Sequence, residues 1–542
     1  TGGYVRVVGF FINRVFTAIA ILAVIFGLTY FLIVRLPSGF VPEEDRGYLF
    51  ASVELPAGAS LQRTQAVMEQ IKSGVAEMEE VQSYCLVGGF NLLNNTISAD
   101  SGAVFINLKD WGERTAPESS AGSIAMRIMR KFADIAEARV LAFGPPALPG
   151  YGAASGFTME IQDLAGGSPE DLAAVTDQFI TAASQRPELT RMYSGFNVDV
   201  PRVKLSLDRE KARAMGVNIP EVYSTLQAFL GGAYVNDFIR FGRLYRVFVQ
   251  AEPEFKSEPA DIQNFYVRGN EGTMVPLSTL VSTDRGSGPY FTNRFNLYRA
   301  ARVTGQPAPG YTSSQAIAAL EEVAAEVLPA EFGYAWSGLT YQQQSGKGGT
   351  IIVFSLAIVF VFLLLAALYE SWSLPFAVLL CSPLVVLGAV TGLLLKGFDN
   401  NVYTQIALIT LIGLSAKSAI LIVEYAKNLR RDGVSSRDAA SEAAKSRLRP
   451  IIMTVSSFAL GCLPLMLAAG SGANSRQIMG YAAVFGTVIS GLLGLLFWPA
   501  SYAFVQRIVE GKEGSSSASP PPPSRPDPDD GPANSDERGL HE

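Results

Sequence analysis

Residues 406–425 read IALITLIGLSAKSAILIVEY, an apolar run of membrane length with Lys417 near its middle. A lysine at the bilayer centre costs about 2.5–3.5 kcal/mol on insertion scales, so it is expected to face a bundle interior or water. About ten residues flank it on either side, roughly 15 Å of helical rise, a poor distance for snorkelling. A buried ammonium also needs a nearby carboxylate to keep its charge. The acids at membrane depth, Glu370, Asp399 and Glu424, all lie near the ends of apolar runs, so Lys417 is expected to want a partner outside this sequence. Glu424 is two turns on and near the same helix face, with pairing to the basic segment after it as the alternative. Thr454 is a candidate hydroxyl partner, the alternative being a threonine satisfied by its own helix carbonyl.

Working outward, the chain of 542 residues is too long for one compact domain. Charged residues make up 17% and the mean hydropathy is +0.23, both displaced toward the apolar side of soluble proteins. The apolar excess sits in one early run and in a block after residue 350, with ordinary polar composition between them. That distribution describes a membrane protein carrying a large soluble part. A net charge of −6 argues against nucleic-acid binding. Cys85, Cys381 and Cys462 offer neither a disulfide framework nor a CxxC site, and the single histidine, His541, lies in the tail. Histidine catalysis and His/Cys zinc chemistry are thereby nearly excluded, and no cofactor is expected. No GxxxxGK[ST] loop appears, so energy is expected to come from an ion gradient rather than from a nucleotide. The first residue is Thr1, and the chain is expected to begin inside a longer protein.

Six runs have the length and composition of membrane helices: 15–34, 349–368, 374–395, 403–426, 450–469 and 477–505. The segment after the fourth carries Lys427, Arg430, Arg431, Arg437, Lys445, Arg447 and Arg449, against Lys396 and Arg476 on the opposite side. The positive-inside rule then places this loop, residues 1–14 and the tail at 510–542 in the cytoplasm, and the soluble part across the membrane. The tail is disordered by composition. Gly461, Gly486, Gly491 and Gly494 are expected to permit close helix approach.

Between residues 36 and 345 strands alternate with helices. Strands at 48–55, 81–87, 102–108 and 138–143, with helices at 59–78 and 119–137, give the βαββαβ order of a ferredoxin-like unit over residues 36–145. The pattern restarts over 150–202 and 289–340, interrupted by an insert at 203–288 that has its own strands and a Gly231-Gly232 turn. Glu43-Glu44-Asp45 directly follows the first apolar run and is expected to shape a chain reversal rather than a hydrolytic site.

Six stretches, LPSGFVPEEDRGYLF (36–50), NLKDWGER (107–114), GGAYVNDF (231–238), ALYESWSLPF (367–376), GLSAKSAILIVEYAK (413–427) and RLRPIIMT (447–454), are specific in both content and order. In them the chain resembles the C-terminal half of bacterial RND-superfamily drug efflux pumps of the hydrophobe/amphiphile type. The resemblance implies a polytopic α-helical inner-membrane protein with six transmembrane helices. Its large periplasmic α/β domain would consist of ferredoxin-like porter subdomains with a docking subdomain inserted. It implies a homotrimer working with a periplasmic adaptor protein and an outer-membrane channel to export amphiphilic small molecules by proton antiport.

Residue by residue, Lys417, Thr454 and Arg447 resemble the family's proton relay. Phe90, Phe105 and Phe143 match drug-pocket positions, with plain core packing as the alternative reading. The loop Asn91 to Gly102, with Asn91, Leu92, Leu93, Asn94 and Asn95 at its start, matches the switch loop. Gly231, Gly232, Tyr234, Asn236 and Asp237 fall in the docking subdomain. The relay aspartates and the first two porter subdomains of the family belong to an N-terminal half, without which this chain is not expected to pump. Two other readings stay open. One is a heavy-metal exporter of the same superfamily, for which Met126 and Met129 are the only close methionine pair. The other is a non-pumping accessory membrane subunit that uses the α/β units as a binding module. An enzyme is not expected, since no nucleophile–base constellation is present.

Overall fold

A computed structural model of the chain describes residues 2–152, 154–346 and 348–516. Two helices, α1 (Gly2–Asn13) and α2 (Val15–Arg35), open it. Then β1 (Tyr48–Glu54), α3 (Leu61–Ala76), β2 (Val81–Asn91), β3 (Thr96–Leu108), α4 (Ala121–Lys131) and β4 (Arg139–Phe143) form a first α/β unit. Its strands pair antiparallel in the order β2-β3-β1-β4. Alternation along β1 turns Leu49, Ala51 and Val53 toward Val67, Ile71 and Val75 of α3 and Ile124 and Ile128 of α4, all buried. Tyr48, Phe50, Ser52 and Glu54 therefore share the face without helices.

A second unit begins with β5 (Phe157–Asp163), α5 (Pro169–Ser184), held by a Ser168–Asp171 capping box, and β6 (Leu189–Ser194). An excursion follows through β7 (Val200–Leu207), α6 (Arg209–Ala214), α7 (Ile219–Leu226), β8 (Ala233–Arg240), β9 (Arg243–Val249), β10 (Tyr266–Arg268), β11 (Met274–Pro276), α8 (Leu277–Leu280) and β12 (Val281–Gly288). Strands β7 and β12 pair as its two-stranded stalk, so the excursion leaves the unit at Val200, three positions before the expected 203. Then β13 (Asn293–Phe295), β14 (Tyr298–Pro307), α9 (Ser313–Val327) and β15 (Phe332–Trp336) complete the unit. Strand β14 pairs with β5 on one side and with β13 and then β6 along the other, and β15 closes on β5. In chain sense the order second-third-first-fourth is the same in both units.

The rest is helical: α10 (Gly338–Gly346), α11 (Gly349–Tyr369), α12 (Leu374–Leu379), α13 (Ser382–Lys396), α14 (Val402–Arg431), α15 (Ser436–Met466) and α16 (Ala473–Ser516). With α12 and α13 counted as one interrupted span, six helices among the described residues are long and apolar enough to cross a membrane. Close approach holds α13 to α16: a Cβ on Gly388 would lie 2.6 Å from the Phe485 carbonyl oxygen. Gly486 and Gly491 meet Leu411 and Val455 in the same way, whereas Gly461 has open space and the atoms nearest Gly494 belong to Trp498 of its own helix.

Several expectations need correction. Residues 427–449 are not a loop, since only 432–435 interrupt α14 and α15. Ser435 caps α15, and Ala439, Ala440, Ala443 and Ala444 supply helix propensity and a buried stripe. Residues 510–516, assigned to the disordered tail, continue α16, while 517–542 lie outside the described residues. The loop from Asn91 to Gly102 contracts to the turn Leu92–Asn95, because β3 starts at Thr96 and extends the hairpin. Helix α4 ends at Lys131, not at 137, where Phe132 turns into the core.

Candidate functional site

Helix α14 buries Ala407, Leu411, Ser415, Ala419, Ile422 and Ala426. The opposite stripe is exposed: Ile406 at one end, then Thr410, Gly413, Lys417, Glu424 and Asn428, which carry its polar groups. A membrane helix whose outward stripe is its polar one presents a surface unsuited to acyl chains. Lys417 makes no hydrogen bond or ion pair among the described residues, so the interior site expected for it is not formed within this chain. Thr454 on α15 is also exposed, and its hydroxyl donates to the Ile451 carbonyl at 2.9 Å, the self-satisfied arrangement. The Arg447 guanidinium stands 4.8 Å above the Tyr425 ring, pinning α15 to α14, while its Nε is buried without an acceptor among the described residues.

In the α/β part, strand register brings two of the three expected phenylalanines together. Phe50 of β1 lies opposite Phe105 of β3 and Phe143 of β4, with ring centroids 5.5 and 6.2 Å away. Tyr48 adds a fourth ring at 5.5 Å from Phe50. Phe90 is not in this row: a register shift at Gly88 puts it opposite Ile97 near the hairpin end. Phe50, the centre of the row, was missed in the sequence, although its period-two spacing from Tyr48 and Glu54 was readable there.

The same face ends in a polar cleft of about 240 Å³ between the two α/β units. Glu54 opposes Ser101 and Arg139 in register and accepts hydrogen bonds from the Tyr193 hydroxyl at 2.5 Å and Asn91 Nδ2 at 2.9 Å. The Asn91 carbonyl oxygen accepts from the backbone of Leu93 and Asn94 and so folds the turn, while Asn95 takes a left-handed φ of 54°. Burial, then the Glu54 carboxylate, push the Tyr193 phenol above its ordinary value, and it remains a donor. Arg139 lies over the Tyr193 ring at 5.3 Å.

The AcrB/AcrD/AcrF family description matches residues 1–506. The chain belongs to that family, within the RND superfamily. It is 40% identical over 524 residues to the Pseudomonas putida multidrug/solvent efflux pump membrane transporter MepB, covering 96% of this chain and 49% of that protein. It is 38% identical over 484 residues to the Escherichia coli multidrug export protein AcrF, covering 89% of this chain and 46% of that protein. To the E. coli multidrug resistance protein MdtF it is 37% identical over 481 residues, covering 88% and 46% respectively. The chain thus spans about half the length of these curated relatives.

In this family member the three acids after α2 each do separate work. Glu44 accepts from the backbone of Asn474 at 3.2 Å and Ser475 at 2.8 Å, and from the Ser475 hydroxyl, so it caps the start of α16. Asp45 pairs with Arg114 at 3.1 Å and accepts from the backbone of Ala121 and Gly47. Burial alone would raise the Asp45 carboxyl, but Arg114 and the two N–H groups outweigh it and hold the group below its ordinary value. Glu43 faces a cavity of about 480 Å³ where the α/β part meets the membrane helices, with Asp399 in the same wall. Enclosure by protein raises both carboxyls, against Ser155 and Arg191 for Glu43 and Asn401 for Asp399, although Glu43 itself stays open to cavity solvent.

Two of the specific stretches interlock here through Arg114 and Asp45. Two others interlock where Lys427 Nζ donates to the Tyr369 carbonyl at the end of α11. The expected docking residues sit at the root of an exposed hairpin. Gly231 ends a π-helical turn, Gly232 has φ 85°, and Tyr234, Asn236 and Asp237 begin β8. Tyr234, Phe238, Ile239, Phe241, Leu244 and Phe248 on this hairpin are all exposed.

Proposed function

We propose that this chain is the C-terminal repeat of a proton-driven exporter that moves amphiphilic and hydrophobic compounds from the periplasm or inner membrane outward. The observation that carries this is Lys417, exposed on α14 with no hydrogen bond or ion pair among the described residues, in a chain that spans half of relatives named as efflux pumps. In this reading an N-terminal half covers the stripe and supplies the carboxylates. Protonating those acids weakens their hold on Lys417, and that change moves the helices. Thr454 and Arg447 flank the path on α15.

The two α/β units act as porter subdomains and the excursion as a docking subdomain. Its apolar hairpin is suited to a second copy of the chain in a homotrimer, since so large an exposed apolar patch favours burial. In this reading the basic segment Lys427–Arg449 faces the cytoplasm, as the positive-inside rule favours, and the α/β part lies in the periplasm, where it works with an adaptor protein and an outer-membrane channel. The Phe50–Phe105–Phe143 row and the cleft with its Asn91–Asn95 turn lie on the drug path. The test is Lys417→Met in the complete pump, read by ethidium accumulation in cells. Export is expected to be lost with membrane insertion and trimer assembly unchanged, and full transport by the variant would overturn the relay assignment.

A further inference from the structure

The helix-free face of the first α/β unit changes character along its strands. At one end stand Phe50, Phe105 and Phe143; four residues along β1, about 13 Å at strand spacing, stands the Glu54 carboxylate. Between them Ser52 is fully buried and its hydroxyl has no partner among the described residues.

The charge balance at the polar end is negative. Glu54 and Asp100 both line the cleft against one cation, Arg139. Arg139 lies directly opposite Glu54 in register, yet its guanidinium is drawn over the Tyr193 ring, and Glu54 forms no ion pair among the described residues. Among the described residues the donors to Glu54 are neutral, the Tyr193 phenol and the Asn91 amide. Asp100 accepts from the Ser98 and Ser101 hydroxyls and from Gly58 N. Neutral donors orient a carboxylate but leave its charge uncompensated, so a cation arriving in the cleft meets an attractive site already built.

We propose that Glu54 makes this cleft select cationic headgroups, so that the pump favours amphiphilic cations over anions of similar size. The proposal rests on the reading that the cleft lies on the drug path. Because Asn91 joins Glu54 to the Leu92–Asn95 turn, a cation on Glu54 also competes with the bond that anchors the turn.

The test uses this chain in nanodiscs and two fluorescent probes, a cationic rhodamine ester and anionic anilinonaphthalene sulfonate, followed by fluorescence polarisation. Glu54→Gln keeps the acceptor oxygen for Tyr193 and removes the charge; it is expected to weaken rhodamine binding about five- to tenfold and leave the sulfonate unchanged or tighter. Glu54→Asp is expected to restore the preference for the cation. Asn197→Trp, at the exposed rim of the cleft, is expected to exclude both probes. If Asn197→Trp excludes both but Glu54→Gln leaves the cation unchanged, or weakens both probes equally, selection by Glu54 is overturned and the cleft stands as a binding site. If Asn197→Trp leaves both probes bound as before, the cleft is not on the path and the underlying reading falls with the proposal.

Discussion

Glu44→Ala is the sharpest test of how the α/β part is fastened to the membrane helices. The carboxylate satisfies the Asn474 and Ser475 N–H groups and the Ser475 hydroxyl at the first turn of α16. Losing a side-chain cap costs about 1–2 kcal/mol, and losing a negative charge at a helix N-terminus costs about 0.5–1 kcal/mol more. The sum is roughly 1.5–3 kcal/mol of local stability, or about 10- to 150-fold in an opening equilibrium. Water recovers little of it at Ser475, which is 8% exposed. Hydrogen exchange of the purified chain in nanodiscs reads this directly, since protection in the first turns of α16 reports local opening. The expectation is about a 10- to 150-fold loss of protection there, with the middle of α14 unchanged. Glu44→Gln keeps an acceptor and loses only the charge, so it is expected to cost about 0.5–1 kcal/mol. Protection in Glu44→Ala equal to that of the parent chain would show that the cap is replaceable by solvent and refute the reasoning.

Gly388→Leu is expected to destabilise the chain by about 1–3 kcal/mol through overpacking, because the added side chain meets backbone of α16; thermal unfolding in nanodiscs checks it, with Gly461→Leu as the near-neutral control in open space. The Asp45 carboxyl is held below its ordinary value of 3.8, so its stabilisation is fully present above that pH and is lost only as the pH falls through the lowered value. Asp45→Asn is therefore expected to flatten the acid limb of a pH–proteolysis profile at the Asp45–Arg114 junction. Glu43 has the opposite sign: its carboxyl is raised above 4.5, the folded state binds the proton more tightly, and stability falls as the pH rises through that window. Glu43→Gln is expected to raise the unfolding midpoint at neutral pH and to leave it unchanged near pH 4. Phe105→Ala is expected to weaken binding of an apolar fluorescent probe more than Phe90→Ala, since Phe105 belongs to the ring row and Phe90 does not; equal losses would refute the placement.

Much of the order of elements was legible because periodicity is a local property. Val67, Ile71 and Val75 announce α3 by spacing alone, and the repeated strand–helix order announces two α/β units. Boundaries were less legible. The Asn- and Leu-rich run after Phe90 has loop composition, yet pairing with β2 carries β3 back to Thr96, because cross-strand hydrogen bonds override local preference. The basic run after Lys427 reads as a loop by its charge, although its alanines favour helix. The candidate site divided in the same way. Lys417 stood out by charge against apolar neighbours, whereas Glu54 and Tyr193, separated by 139 positions, could be joined only by folding.

The sequence by itself determined that this chain has membrane-length apolar runs around an α/β region and a lysine at the middle of one of them, because hydropathy and charge are properties of single residues and short windows. Only the tertiary structure decided that Lys417 points outward, that Glu44 caps α16 and that Phe50 centres a row ending at Glu54. Those are facts of register and packing between segments distant in sequence, set by which faces must be buried together.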